Sequence, residues 1–232
     1  MKPLLVVALL AQVLPSPIGR IQNRILSVEG VGTISYGISV PKDYSADEPR
    51  PLVLALHPGG TRIANYGSTF MRQVVLPALG DLRAIVVAPD CPAPAWNDPM
   101  ADRAVMELLR KVLDEYTIER RRVLVTGFSM GGRGTWYMAS RHSDLFTAAI
   151  PIAASTGDEP LDRLATMPTY VIHSRDDQVV PFGPAEQNAR ELEKLGRVIR
   201  FDELRGIGHY DMGGYVDALR RAGRWIAERW GQ

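Results

Sequence analysis

Val123-Leu124-Val125-Thr126-Gly127-Phe128-Ser129-Met130-Gly131-Gly132 is a short β-branched run leading into G-x-S-x-G, with an apolar-periodic segment directly after it. That order predicts strand, sharp turn, helix. So tight a turn forces its central serine to a positive φ, and the residues two positions to either side must then be tiny. Gly127 and Gly131 meet that requirement. The expected result is a hydroxyl held at the top of a sheet, above the positive end of a helix. The competing reading is a glycine-rich turn in which Ser129 only caps that helix.

Residues further along favour the first reading. A serine hydroxyl is a poor nucleophile at neutral pH. It needs a base to take its proton, and the base needs a partner that fixes its tautomer. His209 is the best base, because Gly206-Ile207-Gly208-His209 lies between a strand-like run and the final helix. The acid is Asp177 or its neighbour Asp176, in Ser174-Arg175-Asp176-Asp177-Gln178-Val179-Val180-Pro181, with Asp177 preferred. Asp202 falls inside a strand, and Asp211 is too close in sequence to His209. His57 and His173 end strands and are expected to bond loop backbone. His142 lies at a helix end.

Acyl chemistry also needs two N–H groups aimed at a developing oxyanion. Met130, the residue after the serine, is one donor. The other belongs to His57-Pro58-Gly59-Gly60-Thr61. Pro58 has no N–H, so Gly59, Gly60 or Thr61 must donate, and Gly60 is preferred. Trp96, in Pro94-Ala95-Trp96-Asn97, either lines a substrate pocket or packs its loop down. Tyr66 and Tyr210 are weaker candidates for the pocket.

Composition narrows the classes. The chain has 232 residues, is 46% hydrophobic and 23% charged, and carries a net charge of +1. That suits one domain with a sizeable core and gives no footprint for nucleic acid. The single cysteine, Cys91, excludes an internal disulfide and a thiolate zinc cluster, and its default reading is a structural thiol. The four histidines show no metal-ligand spacing, so no metal is expected. Glu119-Arg120-Arg121-Arg122 reads as a solvated helix end before a strand.

Residues 1–17 contain an apolar run from Leu4 to Leu14 and read as a signal peptide, which implies a secreted or periplasmic protein. The alternative is a buried N-terminal element of a cytoplasmic protein. The run is too short to span a bilayer, which needs about 20 residues. Residues 18–232 read as a single domain. Leu52-Val53-Leu54-Ala55-Leu56 and Ala84-Ile85-Val86-Val87-Ala88 are continuous apolar runs, the pattern of strands buried on both faces. Strand-like runs alternate with helix-length segments from there on: about Asn65 to Leu79 with Pro77 limiting its end, Pro99 to Tyr116, Met130 to Arg141, Gly183 to Leu195 and Gly214 to Trp230. Two short strands around Gly30-Val31-Gly32 read as a hairpin. The expected fold is α/β with a mainly parallel central sheet. Ala153 to Pro168 has room only for a loop and one turn, so the cleft should be uncapped.

The blocks L-A-L-H-P-G-G, A-P-D-C-P-A-P-A-W, R-V-L-V-T-G-F-S-M-G-G-R-G-T-W, H-S-R-D-D-Q-V-V-P and G-I-G-H, spread over residues 52–209, resemble the α/β-hydrolase superfamily. The chain is most similar to single-domain esterases and predicted peptidases related to prolyl-oligopeptidase catalytic domains, and to polyhydroxybutyrate-depolymerase-like and feruloyl-esterase-like hydrolases. The resemblance implies a Ser129–Asp177–His209 triad, acyl transfer to water, a small-molecule ester as substrate and no cofactor. A peptidase or amidase is the alternative within that chemistry, and a binding protein on a hydrolase scaffold the alternative outside it. Ser174 stands where the family commonly has glycine. A dienelactone-hydrolase relative is expected to carry cysteine in place of Ser129, and on that ground this branch is set aside.

Overall fold

A computed structural model describes residues 19–61, 63–159, 161–164 and 166–231. The signal-peptide reading of residues 1–17 lies outside them. Among the described residues the strands are β1 (Ile21–Val28), β2 (Gly32–Ser39), β3 (Arg50–Leu56), β4 (Ile85–Pro89), β5 (Ile118–Phe128), β6 (Ala148–Ile152), β7 (Thr169–Ser174) and β8 (Ile199–Leu204). They form one sheet in the order β1-β2-β4-β3-β5-β6-β7-β8. β1 and β2 are an antiparallel hairpin, and β2 joins β4 antiparallel. From β4 to β8 every pairing is parallel.

Strand alternation feeds two cores. Leu52, Leu54 and Leu56 of β3 enter one, and Val53 and Ala55 enter the other. The continuous apolar run is therefore apolar because both sheet faces are covered. The first core is closed by α3 (Pro99–Glu115), α4 (Met130–Arg141) and Leu192 of α5 (Phe182–Lys194). The second is closed by α1 (Tyr66–Phe70), α2 (Leu76–Leu79) and α6 (Val216–Trp230). α3 starts as its sequence directs: Asp98 accepts the N–H of Met100 at 2.8 Å, and Pro99 opens the first turn.

The segment expected over about Asn65 to Leu79 is helical over Tyr66–Leu79: α1 runs into a π-helical turn, Met71–Val75, and α2 follows it and ends two residues after Pro77. One expectation needs correction. Glu119-Arg120-Arg121-Arg122 is not a helix end but lies within β5. Pairing with β3 jumps there from Arg50–Ile118 to Leu52–Val123. The charged run bulges out of register because it cannot sit in a strand buried on both faces.

After β4 the chain crosses to the other side of β3 to enter β5. A parallel sheet opens a crevice at the carboxyl ends of its strands where the order reverses in this way. His57 follows β3, Ser129 follows β5, Asp177 follows β7 and His209 follows β8. Among the described residues, 153–168 form a loop and one 3₁₀ turn, Leu161–Leu164, so no cap covers the crevice. No described helix is long and apolar enough to cross a membrane.

Candidate active site

Ser129 adopts φ 55° and ψ −113° between β5 and α4. Close backbone packing holds it there. A Cβ on Gly127 would stand 2.4 Å from the carbonyl oxygen of Gly131, and one on Gly131 would stand 1.9 Å from that of Leu56. No side chain fits at either position. The Ser129 N–H donates to Ile152 O at 2.9 Å, and Ser129 O accepts from Arg133 N at 2.9 Å. The turn is thus tied to β6 on one side and opens the helix on the other.

His209 reaches this turn from the loop after β8. Its Nε2 lies 2.9 Å from Ser129 Oγ, and its Nδ1 lies 2.7 Å from Asp177 Oδ2. A carboxylate only accepts, so Nδ1 carries the proton and Nε2 is left to accept from the serine hydroxyl. His209 is 6% exposed. The Phe128 ring packs against it at 5.0 Å between centroids. Its backbone N–H donates to Gln178 Oε1 at 3.1 Å, which docks the histidine loop onto the acid loop.

Asp177 and Asp176 have different employment. Asp177 Oδ1 accepts the N–H groups of Val179 and Val180 at 2.9 and 2.8 Å, while Oδ2 faces His209. Burial by itself would raise this carboxyl. The hydrogen bonds from His209, Val180 and Val179 outweigh burial and hold it below the ordinary aspartate value. Asp176 turns away and accepts the N–H of Gly206 at 2.6 Å. The structure therefore brings Ser129, His209 and Asp177 together and leaves Asp176 to fasten a turn.

A cavity of about 540 Å³ begins at Met130, the residue after the serine, and is lined also by His57, Gly59, Gly60, Tyr66 and Cys91, among others; Ser129 and His209 are not part of its wall. Met130 and Gly60, the two expected oxyanion donors, both face it. Gly59 lies beside Met130, where an added Cβ would be 3.5 Å from the Met130 Cβ. His57 Nδ1 donates to Pro58 O at 2.7 Å, and its Nε2 accepts from Cys91 N at 3.0 Å. Burial lowers the His57 pKa, partly offset by the Pro58 carbonyl. A neutral ring with both nitrogens occupied clamps two loops and has no capacity left for proton transfer. Tyr66 stacks on this ring at 4.5 Å.

Trp96 does not line the cavity. It is fully buried, donates its indole N–H to His57 O at 2.9 Å and packs against Gly134. The pocket reading of Trp96 is corrected: the loop needs an anchor, and a buried indole with a satisfied N–H supplies one. Tyr210 is 80% exposed and sits edge-on to His209, outside the cavity. His142 Nε2 pairs with Asp102 Oδ1 at 2.6 Å, away from the cleft residues. Sequence reading missed Gln178 and Asp90. Asp90 accepts Asn65 N and Gly67 N at 2.9 and 2.8 Å and so holds the start of α1 beside the cavity. Only the position of Asp90 directly after a strand hinted at a role. Among the described residues no cluster suited to a metal ion is found.

The strand order, the strained serine between strand and helix, and the Ser…Asp…His order make this an α/β-hydrolase. More narrowly, the chain belongs to the dienelactone hydrolase family, whose model matches residues 95–210, half of its length. That match overturns the exclusion of this branch. A serine in place of the expected cysteine at position 129 does not remove a chain from the family. "Probable feruloyl esterase C" of Aspergillus flavus is 27% identical over 177 residues, covering 71% of this chain and 62% of the relative. The chain thus spans less than two thirds of that relative's length. A solved structure described as a thermostable esterase superposes with a TM-score of 0.76 at 30% identity, covering 90% of this chain and 62% of that one. Fluorophosphonate-binding serine hydrolase F of Staphylococcus aureus superposes with a TM-score of 0.74 at 17% identity, over 90% and 98% of the two chains, a likeness of fold.

Proposed function

We propose that the protein is a serine carboxylesterase that works through an acyl-enzyme. The observation that carries this reading is the unbroken line from Asp177 Oδ2 through His209 to Ser129 Oγ, at 2.7 and 2.9 Å. Ser129 Oγ attacks the ester carbonyl carbon and its proton passes to His209 Nε2. The tetrahedral oxyanion is held by the N–H groups of Met130 and Gly60, each such donor being worth about 3 kcal/mol in the transition state. Collapse expels the alcohol, which takes the proton from His209. Water then gives its proton to His209 and attacks the acyl carbon, and collapse returns that proton to Ser129 as the acid leaves. Asp177 stabilises the imidazolium in both halves.

Two features support the Gly60 assignment. Gly59 C=O and Gly60 N–H are opposite ends of one peptide, and Tyr66 Oη lies 3.5 Å from that carbonyl. Holding the carbonyl toward Tyr66 turns the N–H the other way. Gly60 also has φ 126°, which only glycine adopts readily. The acyl group enters the adjoining cavity, where Ile63, Ala64, Ala93 and Pro94 supply apolar wall. Short acyl esters are the expected substrates, and the open cleft leaves the alcohol side unconstrained.

The test is turnover of p-nitrophenyl esters of rising acyl length beside aminoacyl-p-nitroanilides, with Ser129→Ala as control. Ester hydrolysis should be lost by about 10⁴-fold or more in the variant. A preference for anilides would replace the esterase by a peptidase. Equal rates for both proteins, with no phosphonate labelling of Ser129, would end the proposal.

A further inference from the structure

Among the buried titratable groups that take no part in the mechanism above, one touches the acid loop. His173, at the end of β7, is fully buried and four residues before Asp177. Its Nε2 lies 3.1 Å from Val180 O and 3.5 Å from Asp177 Oδ2. A carbonyl oxygen only accepts, so Nε2 carries the proton and donates it to Val180 O, with Asp177 Oδ2 beside the same nitrogen. Val180 closes a ring of contacts: its C=O accepts from His173 while its own N–H donates to Asp177 Oδ1 at 2.8 Å. The Phe182 ring packs edge-on to the imidazole at 5.7 Å. The ring is thus held by Val180 and Phe182.

We infer that His173 is a positioning residue for Asp177: by bonding the Val180 carbonyl it fixes the residue whose N–H reaches one carboxylate oxygen, and it keeps its own N–H beside the other. The inference rests on the esterase reading for its kinetic consequence but not for the contact itself. Burial lowers the His173 pKa, with the Val180 carbonyl and Asp177 opposing, so the ring stays neutral while it does this. The other ionisable groups around the pair are His209 across the carboxylate, Tyr215 in the turn before α6, and Glu203, the register partner of His173 on β8. Glu203 is engaged by Arg175 and Arg205, so its charge is already matched.

The direction of the effect separates positioning from mere filling of space. Without the His173 N–H, the Asp177 carboxylate keeps more of its charge for His209. The imidazolium is then favoured, and the acid limb of kcat/KM moves to higher pH. If instead the loop simply fell away from His209, the same limb would move to lower pH. Leucine at 173 removes the donor, asparagine keeps polarity but falls short of Val180, and glutamine places an amide N–H at the reach of Nε2.

The experiment compares wild type, H173L, H173N and H173Q. One arm is the pH profile of kcat/KM for a p-nitrophenyl ester. The other is amide hydrogen exchange over residues 175–182. H173L and H173N should raise the acid limb by up to about one pH unit, the size of one hydrogen bond to a charged group. KM should stay near the wild-type value, and the Val179 and Val180 amides should exchange faster. H173Q should restore both readouts, and H173N carries the test if H173L does not fold. An unmoved or lowered acid limb, or unchanged exchange in H173N, would overturn the inference. If wild type turns over no ester, the esterase reading fails, while the exchange arm still decides the contact.

Discussion

The two sides of the cleft are held by opposite means. On the Ser129 side, Gly127 and Gly131 let backbone meet backbone at distances that admit no Cβ. On the His209 side, the side chains of Asp177, Gln178, His173 and His209 hydrogen-bond to one another or to the loop backbone of Val180 and His209. Steric exclusion is indifferent to pH. A network of hydrogen-bonded titratable groups is not. The first side should therefore fail abruptly with added volume, and the second gradually with removed donors or added protons.

The largest predicted contrast lies within the network. Asp177→Asn should lower kcat by about 10⁴-fold, because the amide can impose the wrong imidazole tautomer. Asp176→Asn should cost less than about tenfold, since that carboxylate only fastens the Gly206 N–H. Steady-state ester kinetics on both variants decides, and the reverse ranking would move the acid to Asp176.

The Ser129 side is broken by volume. Gly131→Ala should destabilise the fold by about 3 kcal/mol or more, since the new methyl meets the Leu56 carbonyl and neither backbone can yield. Gly183→Ala, where an added Cβ meets nothing within 4 Å, should change stability by less than about 1 kcal/mol. Urea denaturation of the pair measures the difference. Equal midpoints would show that the Ser129 turn is not sterically fixed.

A smaller effect is expected where one loop docks on the other. Gln178→Ala removes the acceptor for the His209 N–H, a loss of about 1 kcal/mol or roughly fivefold in kcat, with KM little changed. A rise in KM with kcat intact would assign Gln178 to substrate instead.

The smallest effect is the pH dependence of stability. His57 and His173 have lowered pKa values in the folded protein. The unfolded chain takes up protons at these rings first, from about pH 6.5 downward. Their stabilising contribution is thus complete above that pH and is lost as pH falls toward the folded-state values. Asp177, also lowered, adds a second loss below about pH 4. H173Q should flatten the first slope, while Ser129→Ala should leave it as in wild type. Thermal unfolding at a series of pH values reads both.

Much of the site was legible because it follows local rules. Ser129 stood out since only a strand, two glycines and a helix in sequence produce that turn. His209 stood out by chain order and by a glycine-flanked loop. The alternating strands and helices announced the parallel sheet through apolar runs such as Leu52 to Leu56. Less was legible where a residue type serves two purposes. Trp96 looked as fit for a pocket as for an anchor, and only its bond to His57 O distinguishes them. The run Glu119 to Arg122 looked like a helix end, because a bulge within a buried strand leaves no periodic signature.

Sequence by itself thus determined the sheet class, the strained serine and the short set of acids and bases able to serve it, since backbone sterics and apolar periodicity act between near neighbours. Tertiary structure alone decided which of two adjacent aspartates meets the imidazole and which partners each histidine finds. Those outcomes depend on which donor or acceptor each polar atom finds on strands and loops distant in the chain, and no spacing rule records that.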